Sequence, residues 1–166
     1  TSAMSIESDR SYFLNMYAAP GTSLKAVRLG VVPAALSFRV VTPGRVYDSR
    51  VEKGGPGPLA APLTRTISVA NRINPANSAV VQSDFVPAGA RAVSLNITAV
   101  NTVGNGNFAV NPGGTLVAAA SSINWSGKTI ANGIVCALND SRQLTIIADG
   151  VGASANFIID ITGYYL

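Results

Sequence analysis

What most restricts this chain is a repeated pattern of short, β-branched, alternating apolar segments cut apart by clusters of Gly, Asn, Asp and Pro. Residues 65–70 (RTISVA), 91–100 (RAVSLNITAV), 107–111 (NFAVN), 144–149 (LTIIAD) and 156–164 (NFIIDITGY) largely alternate apolar and polar side chains. A period of two sends successive side chains to opposite faces of a strand, whereas a helix would need apolar residues three or four apart. Between these segments lie GGPGP at 54–58, VGNG at 103–106, NPGG at 111–114, SGK at 126–128, NDS at 139–141 and DGVG at 149–152. Gly supplies positive φ, Pro presets φ and Asn or Asp bonds its own backbone, so these clusters are turns. No window carries a helical stripe. The expectation is an all-β fold, an antiparallel β-sandwich of jelly-roll-like build with an extended N-terminal arm.

Length and charge narrow the organisation. The chain has 166 residues, 48% hydrophobic and only 12% charged. That suits one domain with a substantial core, and the low charge implies a surface of small polar and apolar side chains that neighbours tend to cover. Residues 1–83 hold nine Lys or Arg against four acids, whereas 84–166 hold three against four; within 85–139 the charges are Arg91 and Lys128 alone. Residues 1–42 read as an arm for attachment or added strands, rich in Tyr and Arg. Residues 43–166 read as one β-sandwich entered through a Gly/Pro-rich crossing.

Several function classes drop out. With no His and Cys136 as the one cysteine, neither a disulfide within the chain nor a Cys/His zinc site can form. A nucleophilic Cys136 would lack an imidazole base, and its run IVCAL (134–138) marks it as a small core hydrophobe. No phosphate-binding loop or EF-hand spacing occurs, so no metal or cofactor is expected. The basic residues are scattered singly, against nucleic acid, and no run approaches the ~20 apolar residues of a membrane span. The opening residues lack the basic-then-apolar plan of an export signal, which leads us to expect synthesis in a host cytoplasm. Asn96, Asn124 and Asn139 match the glycosylation pattern, but only Asn139 falls in a turn.

Some runs are familiar. RVYDSR at 45–50, Gly-Pro-Leu at 57–59 and VPAGARAVSLNIT at 86–98, followed by SSINW at 121–125 and IDITGYY at 159–165, resemble a β domain recurrent in bacterial surface and secreted proteins, notably of actinobacteria, and in bacteriophage head and tail appendages. The resemblance covers about residues 43–166 and implies a display or adhesion role. Residues 1–42 fall outside it.

Candidate residues follow from charge and aromaticity. Arg45, Asp48 and Arg50 cluster in one run, and Asp160 alternates with Ile159 and Ile161 in a strand. A carboxylate among apolar neighbours must be compensated, so a structural ion pair of Arg45 or Arg50 with Asp149 or Asp160 is expected to fix the crossing onto the last strand. Glycosidase chemistry would need two carboxyls flanking a bond, and nothing marks such a pair. Tyr12, Phe13 and Tyr17, with Arg28, are candidate attachment residues in the arm, since interface anchors are often aromatic or Arg. Trp125, Tyr164 and Tyr165 are candidate ligand contacts that could stack on a sugar; for Trp125 the competing reading is a half-buried cross-strand contact.

The sequence thus leads us to expect a non-enzymatic structural protein: a bacteriophage decoration or fibre subunit, located in the virion and attached through its arm to other subunits. A homo-oligomer, taken as a trimer from the common build of such appendages, is the expected partner. The alternative is an adhesion or glycan-binding module at the bacterial cell surface, or secreted.

Overall fold

Strands begin where alternation meets β-branching, and in the computed structural model, which describes residues 35–51 and 56–166, eleven of them form and no helix. They are β1 (Phe38–Asp48), β2 (Leu59–Ala60), β3 (Thr64–Ser68), β4 (Arg72–Ile73), β5 (Val80–Gln82), β6 (Ala92–Val103), β7 (Asn105–Pro112), β8 (Ile123–Ser126), β9 (Ile130–Ala137), β10 (Gln143–Asp149) and β11 (Ser154–Tyr165). All pairings are antiparallel.

One sheet runs in the order β1-β11-β6-β9, with β2 pairing the start of β11; the other runs β3-β10-β7-β8; β4 and β5 form a separate hairpin. The short connections from β6 to β7, β8 to β9 and β10 to β11 each leave one sheet and enter the other. Eight strands in these two orders make a jelly roll, so the all-β sandwich read from the sequence is the fold of residues Leu36–Leu166.

The core lies between the sheets, on the inward positions of the alternating segments. β6 contributes Val93, Leu95, Ile97 and Ala99, β11 contributes Ala155, Phe157, Ile159 and Ile161, and Leu144, Ile146 and Phe108 face them from the second sheet. Four rings run through it: Tyr47 stacks on Phe157 (4.9 Å between centroids), Phe157 meets Phe108 edge-on (5.5 Å), and Phe108 meets Trp125 (4.6 Å). Aromatic pairs at these separations add to plain area burial. Because the four come from β1, β11, β7 and β8, they tie both sheets together.

β1 starts at Phe38, ahead of residue 43, and pairs Phe38, Arg39 and Val40 with Tyr165, Tyr164 and Gly163, so residues 38–42 add strand to the sandwich. Pro43-Gly44 looks like a chain break, yet β1 passes through it by shifting register between Val40 and Gly44 and again between Arg45 and Tyr47. A bulge of this kind admits residues that a regular ladder rejects. The crossing segment is held by Arg65, whose guanidinium donates to the carbonyls of Gly57 (2.9 Å) and Pro56 (3.1 Å) while lying over the Phe157 ring. The attachment candidates Tyr12, Phe13, Tyr17 and Arg28 lie outside the described residues.

Candidate functional site

The charged cluster forms where β1 meets β11. Arg45 stands opposite Asp160 in the ladder, and both side chains point out from the sheet. Its guanidinium grips the Asp160 carboxylate with two prongs, Nε to Oδ1 at 3.0 Å and Nη2 to Oδ2 at 3.2 Å, and turns Nη1 to Asp48 Oδ2 at 3.1 Å. Arg50 closes on Asp48 from the other side, with its backbone N–H and Nε on Oδ1 (3.1 and 2.9 Å) and Nη2 on Oδ2 (2.7 Å). All four residues singled out from the sequence therefore meet in one network, with Arg45 between the two aspartates. Asp149 takes no part: it is exposed and accepts the N–H of Gly150.

Asp48 is 0% exposed and its two oxygens accept four hydrogen bonds, which fills the acceptor capacity of a carboxylate. Burial alone would raise its pKa. The hydrogen bonds from the Arg50 side chain and backbone, with the charges of both arginines, outweigh burial and hold it below the ordinary carboxylate value. The same hydrogen bond raises the pKa of Arg50 against the opposing effect of burial. Two arginines balance two aspartates. Asp48 is thereby fixed as an ion and can neither lend a proton nor take one near neutrality.

Above this network the β4–β5 hairpin overhangs the outer face of the first sheet and leaves a groove of about 660 Å3. Arg45, Asp160, Asn96, Thr162, Asn74 and Arg72 supply its polar walls. Arg72 is a residue that sequence reasoning did not single out. Its stem and the Phe85 ring cross β1 where Gly44 has no side chain; a Cβ there would come 3.0 Å from Arg72 Cδ and 2.7 Å from the ring. The guanidinium lies 5.9 Å from the Phe85 centroid, and no carboxylate pairs with it among the described residues. Since Arg45 and Asp160 belong to the balanced network, Arg72 leaves the groove with one net positive charge. Asn96 donates its amide to Thr98 and Asn74 accepts the Ala76 N–H on its Oδ1; among the described residues the Asn96 Oδ1 has no donor and the Asn74 amide nitrogen no acceptor. The only hint in the sequence is the hairpin signal Asn74-Pro75-Ala76-Asn77 between Arg72 and Val80.

The aromatic candidates do not form a platform. Trp125 is 5% exposed: in β8, Ile123 and Trp125 turn to the core, and the indole N–H donates to the Val103 carbonyl at 3.3 Å. A buried ring cannot stack on a sugar, so the ligand-contact reading of Trp125 is corrected to a core role. Tyr164 packs against the core beside a polar cleft with Thr42, Gln82 and Asp84. Tyr165 points to the opposite face, where it meets Phe38 at 4.8 Å. Cys136 is buried, and burial pushes its thiol up to about 11. Among the described residues no three His, Cys, Asp or Glu side chains group as metal ligands, and no helix is long and apolar enough to cross a membrane.

Comparison of the chain with protein families, with curated proteins and with solved structures finds no match.

Proposed function

We propose that the protein is a non-enzymatic structural subunit of a bacteriophage particle, a decoration or fibre component that is attached through its N-terminal segment and displays the jelly roll. The observation that supports this most is an uncharged apolar surface where that segment joins the domain. At one end of the first sheet the outward row is Val40, Gly163, Ser94 and Val135, and the next is Phe38, Tyr165, Ala92 and Ala137. None is charged, Val40 is 78% and Val135 58% exposed, and Leu36 and Leu166 are exposed nearby. Surface of this kind, beside the point of chain entry, suits burial against other subunits. The native chain should be found in purified particles, and a chain lacking residues 1–34 should fail to incorporate. Recovery only from a bacterial wall fraction, or full incorporation of the truncated chain, would overturn this reading.

One observation favours a second reading, a glycan-binding module at the cell surface: the groove carrying Arg72. Its cation, amide and carbonyl oxygen, unpaired among the described residues, suit an acidic sugar, with the carboxylate on Arg72 and hydroxyls on Asn74 and Asn96. N-acetylneuraminate should shift the amide resonances of residues 72–75 and 96, galactose should not, and Arg72→Gln should weaken the binding at least about ten-fold, the scale of a lost charge-assisted hydrogen bond. An acidic sugar that shifts none of these resonances rules the groove out.

A further inference from the structure

A two-sheet sandwich has four edge strands, each a row of unpaired N–H and C=O groups, and proteins blunt such edges against pairing with another chain. Three edges here are blunted. β1 contains Pro43 and shifts register twice. β3 is five residues long and carries Arg65, and β8 has four residues. β9 has no such device. Its eight residues, Ile130-Ala-Asn-Gly-Ile-Val-Cys-Ala137, include no charge and no proline, and they pair with β6 without a shift from Ala137↔Ala92 to Ile130↔Ala99.

The backbone groups that β9 presents can be identified. The Leu138 N–H donates to the Arg91 carbonyl at 2.8 Å. Antiparallel pairs alternate between bonded and non-bonded, so Ala131, Gly133, Val135 and Ala137 turn their N–H and C=O groups away from β6. None of these amides meets an acceptor among the described residues, and the Ala137 carbonyl receives only the Cys136 thiol at 3.4 Å. Gly133 adds an independent observation. A glycine inside a strand costs stability and normally marks a bulge, a bend or the close approach of another chain. Gly133 lies in an unshifted ladder, and a Cβ on it would meet nothing within 4 Å, so its own fold gives no reason for the glycine.

We infer that β9 docks against β9 of a second copy of this chain, antiparallel across a two-fold axis, joining two β1-β11-β6-β9 sheets into one. In an isologous pair each residue faces residues of the same strand, so any charge would sit near its like. β9 carries none, and this absence makes the second copy the fitting partner. The register that sets Gly133 across from Val135 and Ala131 across from Ala137 engages all four outward residues. It also leaves space beside Gly133 for the Val135 side chain. The pairing closes at two, so this edge makes dimers and not trimers. Val135 and Ala137 also lie in the apolar rows beside the N-terminal segment, but self-association of the isolated chain is measured without particles, so its failure leaves the attachment reading standing.

The test uses the full chain at low-micromolar and near-millimolar concentration. Sedimentation equilibrium should show a mass that doubles, while hydrogen exchange followed by NMR should show the Ala131, Gly133, Val135 and Ala137 amides protected only in the dimer. Ala131→Lys with Val135→Lys, both at exposed positions, should raise the dimer dissociation constant at least about ten-fold with Tm unchanged. If the double variant folds poorly, Val135→Pro removes one outward N–H without touching the ladder to β6 and should have the same effect. Freely exchanging amides at the high concentration, or dimerisation unaffected by a folded variant, would overturn the inference.

Discussion

Asp48 and Asp160 share Arg45, yet they are unequal partners. Asp48 is fully buried between two guanidinium groups, whereas the Asp160 side chain is 27% exposed and Arg45 21%. Removing a buried partner strands the charges around it, so Asp48→Ala should cost about 3–5 kcal/mol. Asp160→Ala leaves Arg45 its bond to Asp48 and access to water, and should cost about 1 kcal/mol. Urea denaturation of the two variants checks the ratio. The pH dependence carries a definite sign. The folded pKa of Asp48 is lowered from 3.8, so its contribution is present above the unfolded value and is lost as the pH falls below it toward the folded value. Asp48→Asn should therefore be less stable at neutral pH but lose less stability over that acidic window than the parent chain. An acid limb of the same slope in both would show that Asp48 does not govern it.

At the scale of elements, two mid-strand glycines should behave in opposite ways. Gly44 sits under the Arg72 stem and Phe85, where a Cβ meets ring atoms at 2.7 and 2.9 Å, whereas Gly133 faces open space. Gly44→Ala should push the β4–β5 hairpin off β1 and cost about 1–3 kcal/mol, the range for overpacking. Gly133→Ala should be neutral or stabilise by up to about 1 kcal/mol, since it removes unfolded-state freedom without a clash. Chemical denaturation measures both, and the Arg72 and Phe85 resonances report whether the hairpin moves. A Gly133→Ala variant that is clearly destabilised would mean the strand itself requires the glycine.

For the whole molecule, cohesion comes from the packing of one sheet on the other through Tyr47, Phe157, Phe108 and Trp125. Among the described residues, the buried members of this core all lie between Val46 and Ile161. A chain starting at Ala35 should therefore melt in a single cooperative transition, as a domain does when the removed terminus is not needed by its core. The cut belongs at 34 and not at 42, because removing Phe38 to Val40 would strip the β1 partner from the end of β11 and leave it paired with β6 alone. Calorimetry of the truncated chain decides the matter: a broad or absent transition would place the N-terminal segment within the folding unit.

Alternation and turn chemistry were enough to read the fold class and most of the core. β6, β10 and β11 are legible because both of their faces have a defined environment, so apolar residues fall at regular spacing with turn clusters at their ends. A cation partner for Asp160 was legible in kind, since a carboxylate among apolar neighbours demands one, but neither the choice between Arg45 and Arg50 nor that between Asp149 and Asp160 was legible. That Arg45 bridges both aspartates emerges from the folded arrangement, because two register shifts in β1 set which side chains stand opposite β11. β9 likewise becomes a strand only through its pairing with β6: an edge strand exposed over most of its length has little reason to alternate, and IANGIVCA shows no period. Trp125 shows the same limit, since the side of β8 that faces inward depends on where β7 lies. Arg72 acquires its place only when the hairpin folds over Gly44, a contact between segments nearly thirty residues apart that no local pattern encodes.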